Sequence, residues 1–217
     1  RLFGQGALPI TGFFGGLINS VATVDNFASR SKEQKSGLFL TGLAAASIAM
    51  LLRNLAITAL LSFSLFKLVF PPIVAMIIVF IVFGAFTLTS KAQKTAIYFK
   101  QPFSVKHGLE FSIILFIATV LFYGVSRLNP IGLGLATFLA GLLSSASVVA
   151  GISFALVAGR ISTVEGAYLI IIGCFASFVS KSFILLTKAS KEFGSKAIPA
   201  ILFAMVVGAV VLVLTMS

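Results

Sequence analysis

The stretch Gly12-Phe13-Phe14-Gly15-Gly16-Leu17-Ile18-Asn19-Ser20 decides how this chain is read, because its second half returns 125 residues later as Gly141-Leu142-Leu143-Ser144-Ser145. Downstream, the apolar segment interrupted by Arg53-Asn54 returns as one interrupted by Lys181-Ser182, and Pro71 returns as Pro199. Arg53 to Pro71 and Lys181 to Pro199 are both eighteen residues. Order and spacing are kept together, which marks an internal duplication. In an apolar chain, a duplicated block of helices implies a membrane protein whose working site lies between two related halves, as is common among secondary transporters.

Composition fixes the solvent. Hydrophobic residues make up 59% of the 217, charged residues only 10%, and mean hydropathy is +1.15, whereas soluble domains are roughly half apolar and about a quarter charged. Apolar runs near the roughly 20 residues needed to cross a bilayer lie at 7–28, 38–61, 69–89, 108–126, 131–158, 163–187 and 197–216. They lack the in/out alternation of barrel strands. The expected fold is therefore all-α and integral to the membrane, with about seven spanning helices. A bilayer as the main partner follows from this reading.

A net charge of +11 invites a nucleic-acid reading, but the basic residues sit in short connectors, as membrane-flanking charge does. With seven spans taken in turn, one face carries eight of them, Arg30, Lys32, Lys35, Lys91, Lys94, Lys100, Lys106 and Arg160. The other carries six, Arg1, Lys67, Arg127, Lys188, Lys191 and Lys196, which weakly favours the first face as cytoplasmic. Cys174 is the only cysteine and falls within an apolar run, so no disulfide framework exists and it reads as an inert core residue.

Residue 1 is arginine, and no signal-peptide pattern follows it. Because the second copy is preceded by the run 108–126, the first is expected to have lost an equivalent leading helix. This gives a first repeat unit over 1–106 and a second over 107–217, together one membrane domain. Four helices per unit make the copies parallel, related by an axis near the membrane normal.

Gly12, Gly16 and Ser20 recur at intervals of four, and the second copy offers Gly141 with Ser145 and Ser147 with Gly151. Such faces let helices approach closely in lipid. A second reading is that the glycines weaken their helices beside Asn19-Ser20 and Ser144-Ser145, exposing oxygens to a desolvated ion. Gly12 to Ala22, its echo Ala140 to Val149, the step Leu52-Arg53-Asn54 and the step Ser180-Lys181 resemble the domain-of-unknown-function 4010 family found in MgtC/SapB-type membrane proteins. That resemblance covers nearly the whole chain and implies a polytopic prokaryotic protein that moves metal cations.

Charge inside the apolar runs is scarce enough to weigh residue by residue. Arg53 and Lys181 occupy equivalent places, and a charge at depth costs about 2.5–3.5 kcal/mol on insertion scales. They would gate a pathway, hold carboxylates or attract an anion; snorkelling to the headgroups is the plain alternative. Asp25, with Thr23 and Asn19 nearby in sequence, offers a carboxylate and an amide to a hard divalent cation. Asp25 and Asn19 are thus the candidate metal ligands. Glu110 suits a helix N-terminus, His107 an interfacial position, and Glu33, Glu165 and Glu192 solvated connectors.

No phosphate loop, zinc-protease motif, paired cysteines or activated serine occurs, so no enzyme is expected. The expected function is a secondary transporter or channel for a cation, a divalent metal in the first instance. Its pathway would be lined by Asn19, Ser20, Thr23, Asp25, Asn54, Ser144 and Ser145, with Arg53 and Lys181 as gate or counter-charge. Gly12, Gly16, Gly141 and Gly151 would serve helix packing. No cofactor is expected beyond a metal ion as substrate, and a homodimer is a possible assembly. The alternatives are an anion carrier that uses Arg53 and Lys181, and a non-transporting subunit that packs against or regulates a partner.

Overall fold

The computed structural model describes residues 2–3, 7–33, 37–88, 97–98 and 130–217. Among them are seven helices, α1 Ala7–Arg30, α2 Leu38–Leu61, α3 Phe63–Leu88, α4 Pro130–Leu143, α5 Ser145–Val157, α6 Thr163–Lys188 and α7 Lys191–Met216. Two-residue strands, Leu2–Phe3 and Ile97–Tyr98, pair antiparallel. The chain is an all-α membrane protein, and α2, α3, α6 and α7 are long and apolar enough to cross a bilayer. The expected span 108–126, with His107 and Glu110, lies outside the described residues.

The two small-residue segments do not span. At Asn19 the backbone leaves the helix (φ −150°, ψ 100°), and at Ser144 it does so in nearly the same way (φ −159°, ψ 111°). A Cβ on Gly15 would lie 2.6 Å from Thr23 Oγ1, and one on Gly42 would meet both Phe27 and the Leu8 carbonyl. Residues 8 and 27 of a straight helix would stand about 28 Å apart, so the chain doubles back at Asn19. Helix α1 is a re-entrant hairpin with arms on either side of Asn19, the first about 18 Å long at 1.5 Å per residue. Helices α4 and α5 form the second hairpin, turning at Ser144. The expected spans 7–28 and 131–158 are corrected accordingly: the break removes i→i−4 hydrogen bonds, and side chains cap the freed N–H groups instead.

Two compact units are defined by contacts. One comprises Arg1–Met50, Met76–Phe103 and Lys181–Ala204; the other comprises Leu51–Ala75, Ser104–Ser180 and Met205–Ser217. These spatial units differ from the sequence copies over 1–106 and 107–217, because each long helix contributes one part to either unit.

In the first unit, Phe39 meets Phe193 at the α6–α7 turn while Ser47 meets Lys181. Advancing along α2 therefore means retreating along α6. The second unit agrees: Asn54 of α2 pairs with Cys174, and Leu65 of α3, just past the end of α2, meets Gly166 near the start of α6. Helices α2 and α6, which the duplication makes equivalent, are antiparallel, and the expected parallel relation is corrected. A re-entrant hairpin contributes no crossing, so the number of crossings between equivalent helices falls by one and its parity changes. An inverted arrangement follows.

The duplication is visible in the capping as well. Ser62 Oγ accepts from Leu65 N at 3.4 Å, and Ser190 Oγ accepts from Phe193 N at 3.3 Å. Each serine thus caps the following helix by the same i+3 bond. Pro71-Pro72 and Pro199 lie inside α3 and α7; these helices begin at residues 63 and 191, earlier than the expected 69 and 197. Prolines are tolerated in membrane helices where neighbouring groups satisfy the freed carbonyls.

Candidate functional site

The tip of the first hairpin is built by Asn19. Its Oδ1 accepts from Val21 N at 3.1 Å and Ala22 N at 3.0 Å, and its carbonyl accepts from Thr23 Oγ1 at 2.8 Å. An asparagine in extended backbone that caps the next two N–H donors starts a new helix, so the second arm begins here with the positive end of its dipole at the tip. Ser20 follows, buried. The first arm lies in register with α2: a Cβ on Gly12 would strike the Gly42 backbone, and one on Gly16 the Ala46 backbone. Gly12 and Gly16 thus stand at close backbone approaches. The same register sets Asn19 level with Ala49, in the middle of α2.

At that level lies Lys181, which is completely buried. Its Nζ is 3.4 Å from Ser47 Oγ and 3.4 Å from Met50 Sδ. Met50 follows Ala49 directly, so the ammonium stands level with the first tip and with the middle of α2. Ser47 and Met50 were not legible as its partners, since they lie 134 and 131 residues away in sequence.

The second tip follows the same plan with different groups. Ser144 Oγ accepts from Ser147 N at 3.4 Å and opens α5. Ser145 is held from outside the hairpin: Asn54 Nδ2 donates to Ser145 Oγ at 3.0 Å and to Cys174 Sγ at 3.3 Å. Cys174, expected to be inert, is thus a hydrogen-bond acceptor. Gly141 packs on α6, where a Cβ would come within 2.7 Å of the Gly173 carbonyl; Val148 of the other arm touches Gly173 too. This tip is therefore level with the middle of α6. Ser180 Oγ donates to the Leu142 carbonyl at 2.7 Å, taking up an oxygen freed at the end of α4. Gly151 is buried in α5. Arg53 is partly exposed and within electrostatic reach of Cys174.

The expected ligand pair does not assemble. Asp25 Oδ1 forms an ion pair with Lys188 Nζ at 2.7 Å, at the last residue of α6. Asn19 Oδ1, meanwhile, is engaged by its own backbone. Among the described residues no group of three or more His, Cys, Asp or Glu side chains could hold a metal ion. The structure brings Asn19, Ser20 and Thr23 together at one tip, and Asn54, Ser144 and Ser145 at the other.

Residues 1–189 match the family described as Domain of unknown function (DUF4010). The chain belongs to this family. No curated protein and no solved structure matches it. A family without an assigned activity leaves function to the geometry of the two tips.

Proposed function

We propose that this DUF4010 chain is a secondary transporter of a small anion, a carboxylate or inorganic oxyanion, rather than an enzyme or a packing subunit. The observation that supports this reading most is the fully buried Lys181 ammonium, level with a capped hairpin tip. Half-helix N-termini at membrane depth attract anionic groups, and both second arms, headed by Asn19 and Ser144, present such ends. The described carboxylates stand elsewhere: Asp25 is paired with Lys188, Glu33 follows α1, and Glu165 and Glu192 occupy first helical turns. A site of this character suits negative charge. Arg53, the sequence equivalent of Lys181, would play the corresponding role in the second unit.

The MgtC/SapB-type relationship, a prokaryotic plasma membrane and a homodimer are parts of this proposal that rest on the family resemblance alone. Flux into proteoliposomes tests the central claim, with succinate, sulfate and phosphate as probe anions. Uptake of one of them that is lost in Lys181→Met and reduced in Arg53→Gln, with both variants folded, supports it. Mg²⁺ or Mn²⁺ flux lost in Asp25→Ala would replace it with the cation reading, and absence of any flux from folded protein would point to a subunit.

A further inference from the structure

Contacts within the first unit gather four helix ends into one place. Asp25 pairs with Lys188, Ser190 N donates to Ser31 Oγ at 2.8 Å, and Phe39 packs between Phe27 and Phe193. The end of the first hairpin, the start of α2, the end of α6 and the start of α7 therefore share one end. That end carries Arg30, Lys32, Lys188, Lys191 and Lys196. Ile97–Tyr98 pairs with Leu2–Phe3, shortly before α1, and in sequence Lys94 and Lys100 flank that strand.

Among the described residues, the other ends of the long helices carry little charge. A Cβ on Gly166 would meet Leu65 and Ile161, which joins the starts of α3 and α6. The described basic residues there are Lys67, lying over the Phe63 ring at 5.1 Å, and Arg160. The seven-span reading divided these same residues almost evenly, because it placed Arg160 with Lys32 and set Lys188 and Lys191 opposite. Re-entrant hairpins reverse those assignments.

We infer that the end bearing Arg30, Lys32, Lys188, Lys191 and Lys196 lies on the cytoplasmic leaflet and contacts its anionic phospholipid headgroups. Orientation is set by Lys and Arg in short connectors rather than by net charge, so Asp25, Glu33 and Glu192 at the same end count for little. Anionic lipid attracts such basic clusters further. This inference concerns orientation and stands whether or not the anion reading holds.

The native Cys174 is buried and gives a quiet background for single-cysteine reporters. Lys32→Cys and Lys191→Cys report the basic end; Ala158→Cys and Arg160→Cys, all at exposed positions, report the other. In intact cells of a bacterial expression host, a membrane-impermeant maleimide should label the second pair and leave the first unlabelled until the cells are opened. Two reporters at each end guard against one variant failing to insert. Labelling of Lys32→Cys and Lys191→Cys in intact cells would overturn the inference. So would labelling of both ends in intact cells, the outcome of mixed insertion.

Discussion

The two hairpins share a backbone and differ in how their tips are held. Asn19 and Ser144 break their helices at equivalent residues with dihedrals that agree within about ten degrees, yet the first tip caps itself through one amide while the second is fastened by Asn54 from α2. The residue equivalent to Asn54 in α6 is Ser182, whose hydroxyl is buried and has no hydrogen-bond partner among the described residues. Duplication thus preserved the fold of the hairpin and left its restraint free to diverge. Backbone geometry needs only a capping oxygen at the break, which asparagine and serine both supply. A restraint from another helix depends on side-chain reach, and serine is too short to repeat what asparagine does.

The largest effect expected from perturbing this comparison is at the contact glycines. Gly16→Leu and Gly141→Leu should each destabilise by about 1–3 kcal/mol or more through overpacking, read as a fall in melting temperature in detergent. Gly16 faces backbone atoms of Ala46, whereas part of what Gly141 faces is the Ala176 methyl group. The milder Gly16→Ala should therefore cost more than Gly141→Ala. Equal stability of either leucine variant and the parent would show that the hairpin does not seat on its long helix.

The next test separates the two restraints. Asn54→Ala strands the buried Ser145 hydroxyl and should cost about 1–3 kcal/mol, while Ser182→Ala removes a hydroxyl that has no partner and should be neutral or slightly stabilising. Similar losses in both variants would erase the asymmetry. Capping gives a smaller contrast: Asn19→Ala should cost nearer the upper end, and Ser144→Ala nearer the lower end, of the about 0.5–2 kcal/mol typical of N-caps. The reason is that Asn19 accepts two backbone bonds near 3 Å and Ser144 one at 3.4 Å. Thermal unfolding of the pair decides it, and a reversed order would mean that the long Ser144 bond carries more than its geometry implies.

The smallest effect belongs to Asp25. Its pair with Lys188 is substantially exposed, with side-chain accessibilities of 53% for Lys188 and 38% for Asp25. Exposed ion pairs contribute about 0–1 kcal/mol and weaken with salt. Asp25→Asn should thus lower stability by less than about 1 kcal/mol, with the difference shrinking in high salt. A loss that is large and independent of salt would place Asp25 in a more consequential role than this pairing.

Much of the local plan was legible. The repeat and the small-residue faces at Gly12, Gly16 and Gly141 could be read because small residues act through their own backbone. The partners of the polar residues could not. Lys188 for Asp25, Ser47 and Met50 for Lys181, and Cys174 for Asn54 are each over a hundred residues away, and nothing in a local pattern encodes which helices meet.

The sequence by itself determined that this is an apolar, duplicated helical chain, since hydropathy and glycine spacing act over a few residues. Only the tertiary structure decided that Asn19 and Ser144 turn the chain back rather than merely kink it. An apolar run long enough to cross the bilayer satisfies its backbone as one straight helix or as two half-helices with a capped turn. The choice depends on what packs beside it. Here Gly12 and Phe27, from opposite arms of the first hairpin, both pack against Gly42, and that shared contact, not the hydropathy of either arm, fixes the fold back and with it the antiparallel course of α2 and α6.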